Sequence, residues 1–344
     1  MIIEYNIGQD CGTDNDDSVS NIHRKYLIAN GLLKTKVSVA TLAPELKRAQ
    51  LIAGEFVELG LDIPVYVGSR LIPDDATPPV CHYDVPYLAT TKDVYIYPSR
   101  DIRVMLENEK DNSVTFTVQA GMTDFATMLE QYPELVSRKA KQVVIMGGVI
   151  PQLVGKYLVP NDANNNTFAW SSACYVYARC QELKIPMVIV TRNAAYAVKL
   201  EFAFYDQLEN TGHIIGKALK QTQAKMMEHL WIAANEPANS KLRGTLPPNR
   251  NRQWFLATFC DGNVPSDVKS SDSIWKYVKY FSLYDSLNLF AAFEEFQHLF
   301  DPVIFKVNGV DHKVIGLTPD QHGIKNVAEM RKLLTNSAIE ALTN

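Results

Sequence analysis

A chain of 344 residues with a formal net charge of −4 and 21% charged residues offers no general electrostatic grip on nucleic acid, and no basic run supplies a local one. Its 47% hydrophobic content suits a soluble globular protein with a sizeable core. Cys11, Cys81, Cys174, Cys180 and Cys260 form no CxxC pair; with no leader-like start and no apolar run of membrane length, they predict reduced thiols in a cytoplasmic protein that does not bind membranes.

"IIEYNI" predicts a first strand and "DSVSNIHRKYLIANG" a helix that Gly31 ends. Strand "KVSVATL", helix "ELKRAQLIAGEFVELG" and strand "IPVYVGS" come next. Strand "VTFTVQA", helix "DFATMLEQYPELV", strand "KQVVIMGG", helix "SSACYVYARCQELK" and strand "IPMVIVT" continue the alternation. Val and Ile on both alternating positions mark strands buried on both faces. The expected fold is therefore α/β: a mostly parallel central sheet, Rossmann-like and open, with helices on both faces. Residues 70–90 predict a long loop and residues 237–273 a polar, irregular stretch, the kind of segment that forms lids or substrate walls. With no linker composition and no internal repeat, residues 1–344 are expected to form a single domain.

The turn after the first strand, "QDCGTDNDDSVS", places Asp10, Asp14, Asp16 and Asp17 within eight residues. In an open α/β sheet, ligands bind at the carboxyl ends of the strands, where this turn lies. Gly12 permits a tight backbone turn there. Asp16 and Asp17 fall at the helix start, where negative charge is favourable and one of them can cap backbone N–H groups. Three readings compete: a solvated cap with surplus acids, an EF-hand-like loop, and a divalent-cation site assembled in the tertiary structure. The EF-hand reading fails, because the twelfth position counted from Asp10 is Asn21 and from Asp14 is Lys25, neither an acid. Crowded carboxylates repel one another unless a cation neutralises them, and Ca²⁺ takes roughly six to eight oxygens, so the third reading needs ligands from elsewhere in the chain.

The order strand, D-x-G-x-D-x-D-D, helix resembles the N-terminal signature DxDPGxDD of the inosine–uridine-preferring nucleoside hydrolase family, in the longer DPGxDxDD form of a divergent branch. "VSVATLAPELKRAQLIAGEFVELGLDIPVYVGS" resembles that family's second strand, helix and IPVYxG strand. "VQAGMTDFATMLEQYPELVSRKAKQVVIMGGV" resembles its GPLTNLA…PEL…IVIMGG block, and "YDSL" its C-terminal HDPL motif. The similarity runs over residues 2–317. It implies a nucleoside hydrolase-like fold and calcium-dependent hydrolysis of an N-ribosidic bond in purine or pyrimidine salvage. The implied partner is a nucleoside or related ribosylated small molecule, and a homo-oligomer is implied as well.

Carried over residue by residue, the resemblance makes Asp10, Asp17 and Asp285 the acidic Ca²⁺ ligands and the main-chain carbonyl of Gln119 a further one. Asp14 replaces Asp10 if the two-residue insertion lies elsewhere. Asp16 matches the carboxylate that holds ribose hydroxyls. A carboxylate-held cation lowers the pKa of bound water, with an Asp as proton acceptor, and Asp10 is the candidate. In "VPNDANNNTFAWSSA", Asn161 and Phe168 match the family's ribose segment, while its Glu and last Asn become Thr167 and Ala169. Asn164, Asn165 and Asn166 are candidates to replace the lost hydrogen bonds, or the run is a polar turn.

For the leaving group, Tyr284 stands where the family has His, and its ordinary pKa of about 10 suits proton transfer poorly. His82 in the long loop is the other candidate, against an ordinary surface histidine. His229 and Trp231 lie on one helix, where such spacing usually means core. A soft thiolate at Cys11 is unsuited to calcium. Thr167 and Ala169 motivate a rival reading, a non-catalytic sensor of a nucleoside or ribosylated ligand. An aspartyl-phosphate-forming phosphatase is disfavoured, because Asp10-Cys11-Gly12-Thr13 lacks that chemistry's second acid.

Overall fold

The computed structural model describes residues 1–72, 80–96, 98–244, 246–261 and 264–344; residues 73–79, within the expected 70–90 loop, and residues 262–263, within the 237–273 stretch, lie outside the described residues. Strand β1 (Ile2–Gln9) is followed by α1 (Asp16–Ala29), β2 (Leu33–Ala40), α2 (Glu45–Glu58), β3 (Val65–Val67), β4 (Tyr95–Ile96), α3 (Pro98–Glu107) and β5 (Val114–Val118). The chain continues through α4 (Thr123–Gln131), α5 (Pro133–Lys139), β6 (Ala140–Gly147), α6 (Asn164–Phe168), α7 (Trp170–Glu182), β7 (Met187–Thr191) and α8 (Arg192–Ala197). Then come β8 (Leu200–Glu201), α9 (Ala203–Asn210), α10 (Ile214–Asn235), α11 (Arg252–Phe259), β9 (Tyr280–Phe281), α12 (Tyr284–Ala291), β10 (Val303–Val307), β11 (Val310–Ile315) and α13 (Val327–Thr343).

Nine strands form one sheet in the order β10-β11-β7-β6-β5-β1-β2-β3-β4, and every pairing is parallel except β10 with β11. Alternation sorts the side chains onto two faces. Val144, Met146, Val188 and Val190 join a core formed with α1, α2, α9, α12 and α13. Val143, Ile145, Met187 and Ile189 join the opposite core with α4 and α7. The mostly parallel sheet with helices on both faces is the expected architecture.

Three local differences have plain causes. The helix expected over "DFATMLEQYPELV" is two helices, because Pro133 cannot donate into α4 and instead opens α5. The antiparallel hairpin β10–β11 turns at Asn308 and Gly309, both at positive φ (49° and 84°). An Asn-Gly pair favours that geometry. The 237–273 stretch contains α11, whose Phe255 packs with Trp231 of α10 in a small separate core.

The strand order reverses at β1: β2, β3 and β4 extend to one side, β5, β6 and β7 to the other. Diverging connections leave a crevice at the carboxyl ends of β1 and β5, the topological switch point where open α/β sheets hold their ligands. The acidic turn leaves β1 there, and Gln119 directly follows β5.

Candidate functional site

Residues 10–15 bridge the end of β1 and the start of α1. Asp16 and Asp17 are 6% and 1% exposed, yet neither caps the helix. Asn15 occupies the cap position, and its side chain turns instead to α10, donating to the Leu219 carbonyl at 2.8 Å and accepting from Thr222 Oγ1 at 3.1 Å. The two carboxylates accept from elsewhere: Asp17 Oδ1 from the Asp10 N–H at 3.2 Å, and Asp16 Oδ2 from the Tyr284 N–H at 3.2 Å. The capping expected of them is not made. Carboxylate oxygens of Asp14, Asp16 and Asp17 lie within 4.8 Å of one another. Asp10 and Asp285 stand outside that trio, though their charges act on it.

Burial pushes the Asp16, Asp17 and Asp285 carboxyls well above the ordinary carboxylate range, and the neighbouring acids push them higher. Asp10 is raised to about 6 by burial and by Asp14, against the opposing charge of Arg48. The donors are all oxygen and bear more negative charge than the surrounding side chains neutralise, which fits a hard divalent cation and not a soft one. Asn288, one turn beyond Asp285 on α12, is buried with neither amide atom hydrogen-bonded among the described residues.

Arg48 on α2, which motif reading passed over, holds this turn from beneath. Fully buried, it donates from Nε to the Leu42 carbonyl at 2.8 Å and from Nη1 to the carbonyls of Cys11, at 2.9 Å, and of Asp10. Its Nη2 reaches Thr13 Oγ1 at 2.8 Å and the Ala43 carbonyl at 3.3 Å. No sequence pattern announces such a role; packing creates it. Gly12 sits at φ +106° with the Tyr83 ring 2.7 Å from where a Cβ would stand, so only glycine fits.

His82 is anchored to the same turn, its main-chain N–H donating to the Gly12 carbonyl at 2.9 Å. Its ring stacks on His229 at 5.1 Å with 9° between the planes. Burial, His229 and Lys225 hold its imidazole below the ordinary histidine value. His229 thus joins the neighbourhood of the site, while Trp231, two residues on, is core.

The asparagine-rich segment lies across the switch point. Asn165 donates to the Gln119 carbonyl at 2.7 Å and to the Met146 carbonyl at 3.1 Å, joining α6 to the ends of β5 and β6. That Gln119 oxygen, the expected main-chain ligand, retains a second lone pair. Asn161 and Asn166 are engaged locally: Asn161 donates to the Val149 carbonyl and accepts from the Ala163 N–H. Asn166, fully buried, donates to the Gly148 and Asn161 carbonyls. Phe168 packs beside Gly121, and Thr167 is exposed.

Tyr284 opens α12 next to Asp285. Its ring meets Tyr196 edge-on at 6.1 Å, and burial, Tyr196 and the acids hold its hydroxyl well above the ordinary tyrosine range. Tyr196 Oη in turn accepts from Arg250 Nη1 at 3.2 Å. Among the described residues no helix is long and apolar enough to cross a membrane.

A parallel sheet reversing at β1, with an acid-bearing β1–α1 turn at the reversal, is the nucleoside hydrolase fold, and the family resemblance read from the motifs is shown at that level. Over 99% of its length the chain is similar, with a TM-score of 0.83 and 27% identity, to 94% of the type III effector protein XopQ, whose structure is complexed with adenosine diphosphate ribose. It is also similar to the purine-preferring ribonucleoside hydrolase of Gardnerella vaginalis, with a TM-score of 0.64 and 11% identity over 99% of each chain. The inosine–uridine-preferring nucleoside hydrolase of Bacillus anthracis matches with a TM-score of 0.58 and 14% identity, over 100% of this chain and 99% of that one. At such identities the two hydrolases speak to the fold alone. No protein-family model matches the chain, and no curated protein matches it significantly.

Proposed function

We propose that residues 1–344 act as one nucleoside hydrolase-like domain that binds Ca²⁺ and, through it, a ribosylated small molecule at the carboxyl ends of β1 and β5. The observation that carries this reading is the trio Asp14, Asp16 and Asp17, with carboxylate oxygens within 4.8 Å of one another at the switch point. Similarity to an effector protein complexed with adenosine diphosphate ribose supports it. Asp17, Asp285 and one of Asp10 and Asp14 would hold the cation with the Gln119 carbonyl. Asp16 and Asn165 would face the ribose, with Phe168 alongside, while Asn161 and Asn166 would shape the segment beneath it. When bound, the cation supplies an electrophile for ribose hydroxyls and for water.

Binding is favoured over turnover for two reasons. Tyr284, with its hydroxyl held above the ordinary range, is a donor that keeps its proton at neutral pH. The ribose segment carries Thr167 and Ala169 in place of the family's Glu and Asn, and Thr167 points its hydroxyl to the Asn164 carbonyl. The second reading is hydrolysis of an N-ribosidic bond. It keeps Asp10, raised to about 6, as proton acceptor, with His82, whose main-chain N–H is bound to the turn, as the candidate for the leaving base.

Calorimetric titration of metal-free protein with Ca²⁺, then with adenosine and adenosine diphosphate ribose, tests both, with ribose release followed alongside. Calcium-dependent ligand binding without ribose release is the expected result. Release would establish the second reading, and absence of calcium binding would remove both.

A further inference from the structure

We infer that the wall formed by Tyr284, Tyr196 and Arg250 is an anion subsite that takes the phosphate of a phosphorylated ribosyl ligand. This rests on the ribosylated-ligand reading above and adds which part of the ligand the chain selects. Even with Ca²⁺ bound, the acids of the β1–α1 turn and Asp285 outnumber its charges, so a ligand whose ribose lies against them is better served by placing its phosphate on a cation held away from them.

The contacts lead from the acids to such a cation. Asp16 Oδ2 accepts from the Tyr284 N–H at 3.2 Å, the Tyr284 ring meets the Tyr196 ring edge-on at 6.1 Å, and Tyr196 Oη accepts from Arg250 Nη1 at 3.2 Å. All three side chains of the wall are partly exposed. The two tyrosines thus separate the guanidinium from the carboxylates.

Neighbouring arginines are engaged. Arg243 donates to the carbonyls of Ala233, Glu236, Pro247 and Arg250. Arg252 donates to Asn235 Oδ1 and the Val268 carbonyl, and Arg192 pairs with Asp162 at 2.9 Å. Arg250 differs: among the described residues it has no carboxylate partner, and its Nε and Nη2 have no acceptor. Its guanidinium lies 4.9 Å from the centre of the Trp254 ring, a cation–π contact that holds it at the wall. The Trp254 indole N–H is buried and also lacks an acceptor among the described residues. A planar fork with free donors suits two phosphate oxygens at once. The competing cation, Lys225, is an exposed point charge on the His82 and His229 side.

Calorimetry on the full calcium-loaded chain with adenosine, ribose 5-phosphate and adenosine diphosphate ribose decides. The wild type should prefer adenosine diphosphate ribose to adenosine. Arg250→Ala and the more conservative Arg250→Gln should each reduce that preference by roughly tenfold or more, the scale of a charge-assisted hydrogen-bond pair. Lys225→Ala should leave it in place, and calcium affinity serves as the folding control. Parallel weakening of ribose 5-phosphate supports recognition of a phosphate as such; weakening of adenosine diphosphate ribose alone supports a diphosphate. An unchanged preference in both Arg250 variants, equal wild-type affinity for adenosine and adenosine diphosphate ribose, or a loss confined to Lys225→Ala overturns the inference while leaving the ribosylated-ligand reading. Failure of all three ligands to bind the wild type overturns that reading and the subsite with it.

Discussion

The main-chain N–H of Tyr284 donates to the Asp16 carboxylate at 3.2 Å, joining positions 268 residues apart. One bond therefore ties the start of α12 to the start of α1 and brings Asp285, 4% exposed, within electrostatic range of Asp16 and Asp17. Gln119 reinforces the link by donating to the Asp285 carbonyl at 2.8 Å, while its Oε1 accepts from Arg24 of the buried Glu4–Arg24 pair. Asp16, Asp17 and Asp285 are thus positioned by a buried network, while Asp14, the third member of the trio, is exposed.

Removing one of those acids should separate metal binding from folding. Asp17→Asn and Asp285→Asn each remove an acid whose ionised form burial, and then its neighbours, disfavour. Calcium binding by calorimetry should fall at least about a hundredfold, while the metal-free protein should unfold on the order of 2–4 °C higher, as relief of burying and crowding an ionisable acid is worth about 1–2 kcal/mol. A lower melting temperature with calcium affinity intact would mean that these carboxylates hold the fold instead.

The pH dependence of calcium binding follows from the same groups. A carboxyl raised in the folded state contributes stability that is present at low pH and lost as pH rises through its folded value, near 6 for Asp10. His23 and His312, both lowered to about 4, act in the opposite sense: their contribution is present above the ordinary histidine range and lost as pH falls through the folded value. The histidines are common to metal-free and calcium-loaded protein, so they cancel in the difference between the two melting temperatures. Calcium must displace protons from the carboxyls. Its affinity should therefore weaken at least about tenfold between about pH 7 and about pH 5, and the stabilisation it gives should shrink in parallel. A calcium-induced melting shift that is flat over this range would contradict the raised carboxyls as ligands.

Gly12→Ala tests the turn itself. The substitution meets φ +106° and the Tyr83 ring at 2.7 Å together, so the turn or the neighbouring 82–83 segment must move. A loss of about 1–3 kcal/mol in stability is expected, with weaker calcium binding, because the carbonyl of residue 12 anchors the His82 N–H. Denaturant unfolding and calorimetry on one preparation check both.

The sequence disclosed the parallel sheet because buried strands such as "VVIMG" and "MVIVT" are continuous runs of β-branched and apolar residues that few other environments accept. It disclosed the acidic turn because four carboxylates in eight residues are hard to solvate without a purpose. The sequence left Asp10 and Asp14 as alternative ligands, and the fold gives each a different setting: the main-chain N–H of Asp10 donates to Asp17, while the carboxylate of Asp14 joins the trio. The alternation read from the sequence stopped at "IPMVIVT" and missed the β10–β11 hairpin, although its Asn308-Gly309 pair is a turn signal. Arg48 and Arg250 were not legible, because an arginine acquires its role from the acceptors that tertiary packing brings to it. Nothing adjacent to them in the chain states what those acceptors are.

Arg48 yields the largest expected effect. Its guanidinium is fully buried and satisfies carbonyls of Asp10, Cys11, Leu42 and Ala43 together with Thr13 Oγ1. Arg48→Met removes the donors and leaves those acceptors buried, and each unmet acceptor costs about 1–3 kcal/mol. The positive charge closest to Asp10 goes with them, which pushes that carboxyl higher still. Stability should fall by at least about 3 kcal/mol in denaturant unfolding. Arg48→Lys keeps the charge but not the planar fork, so it should recover only part of the stability and leave calcium affinity at least about tenfold below wild type. Full recovery by lysine would mean that Arg48 acts through charge alone and that the turn needs no clamp.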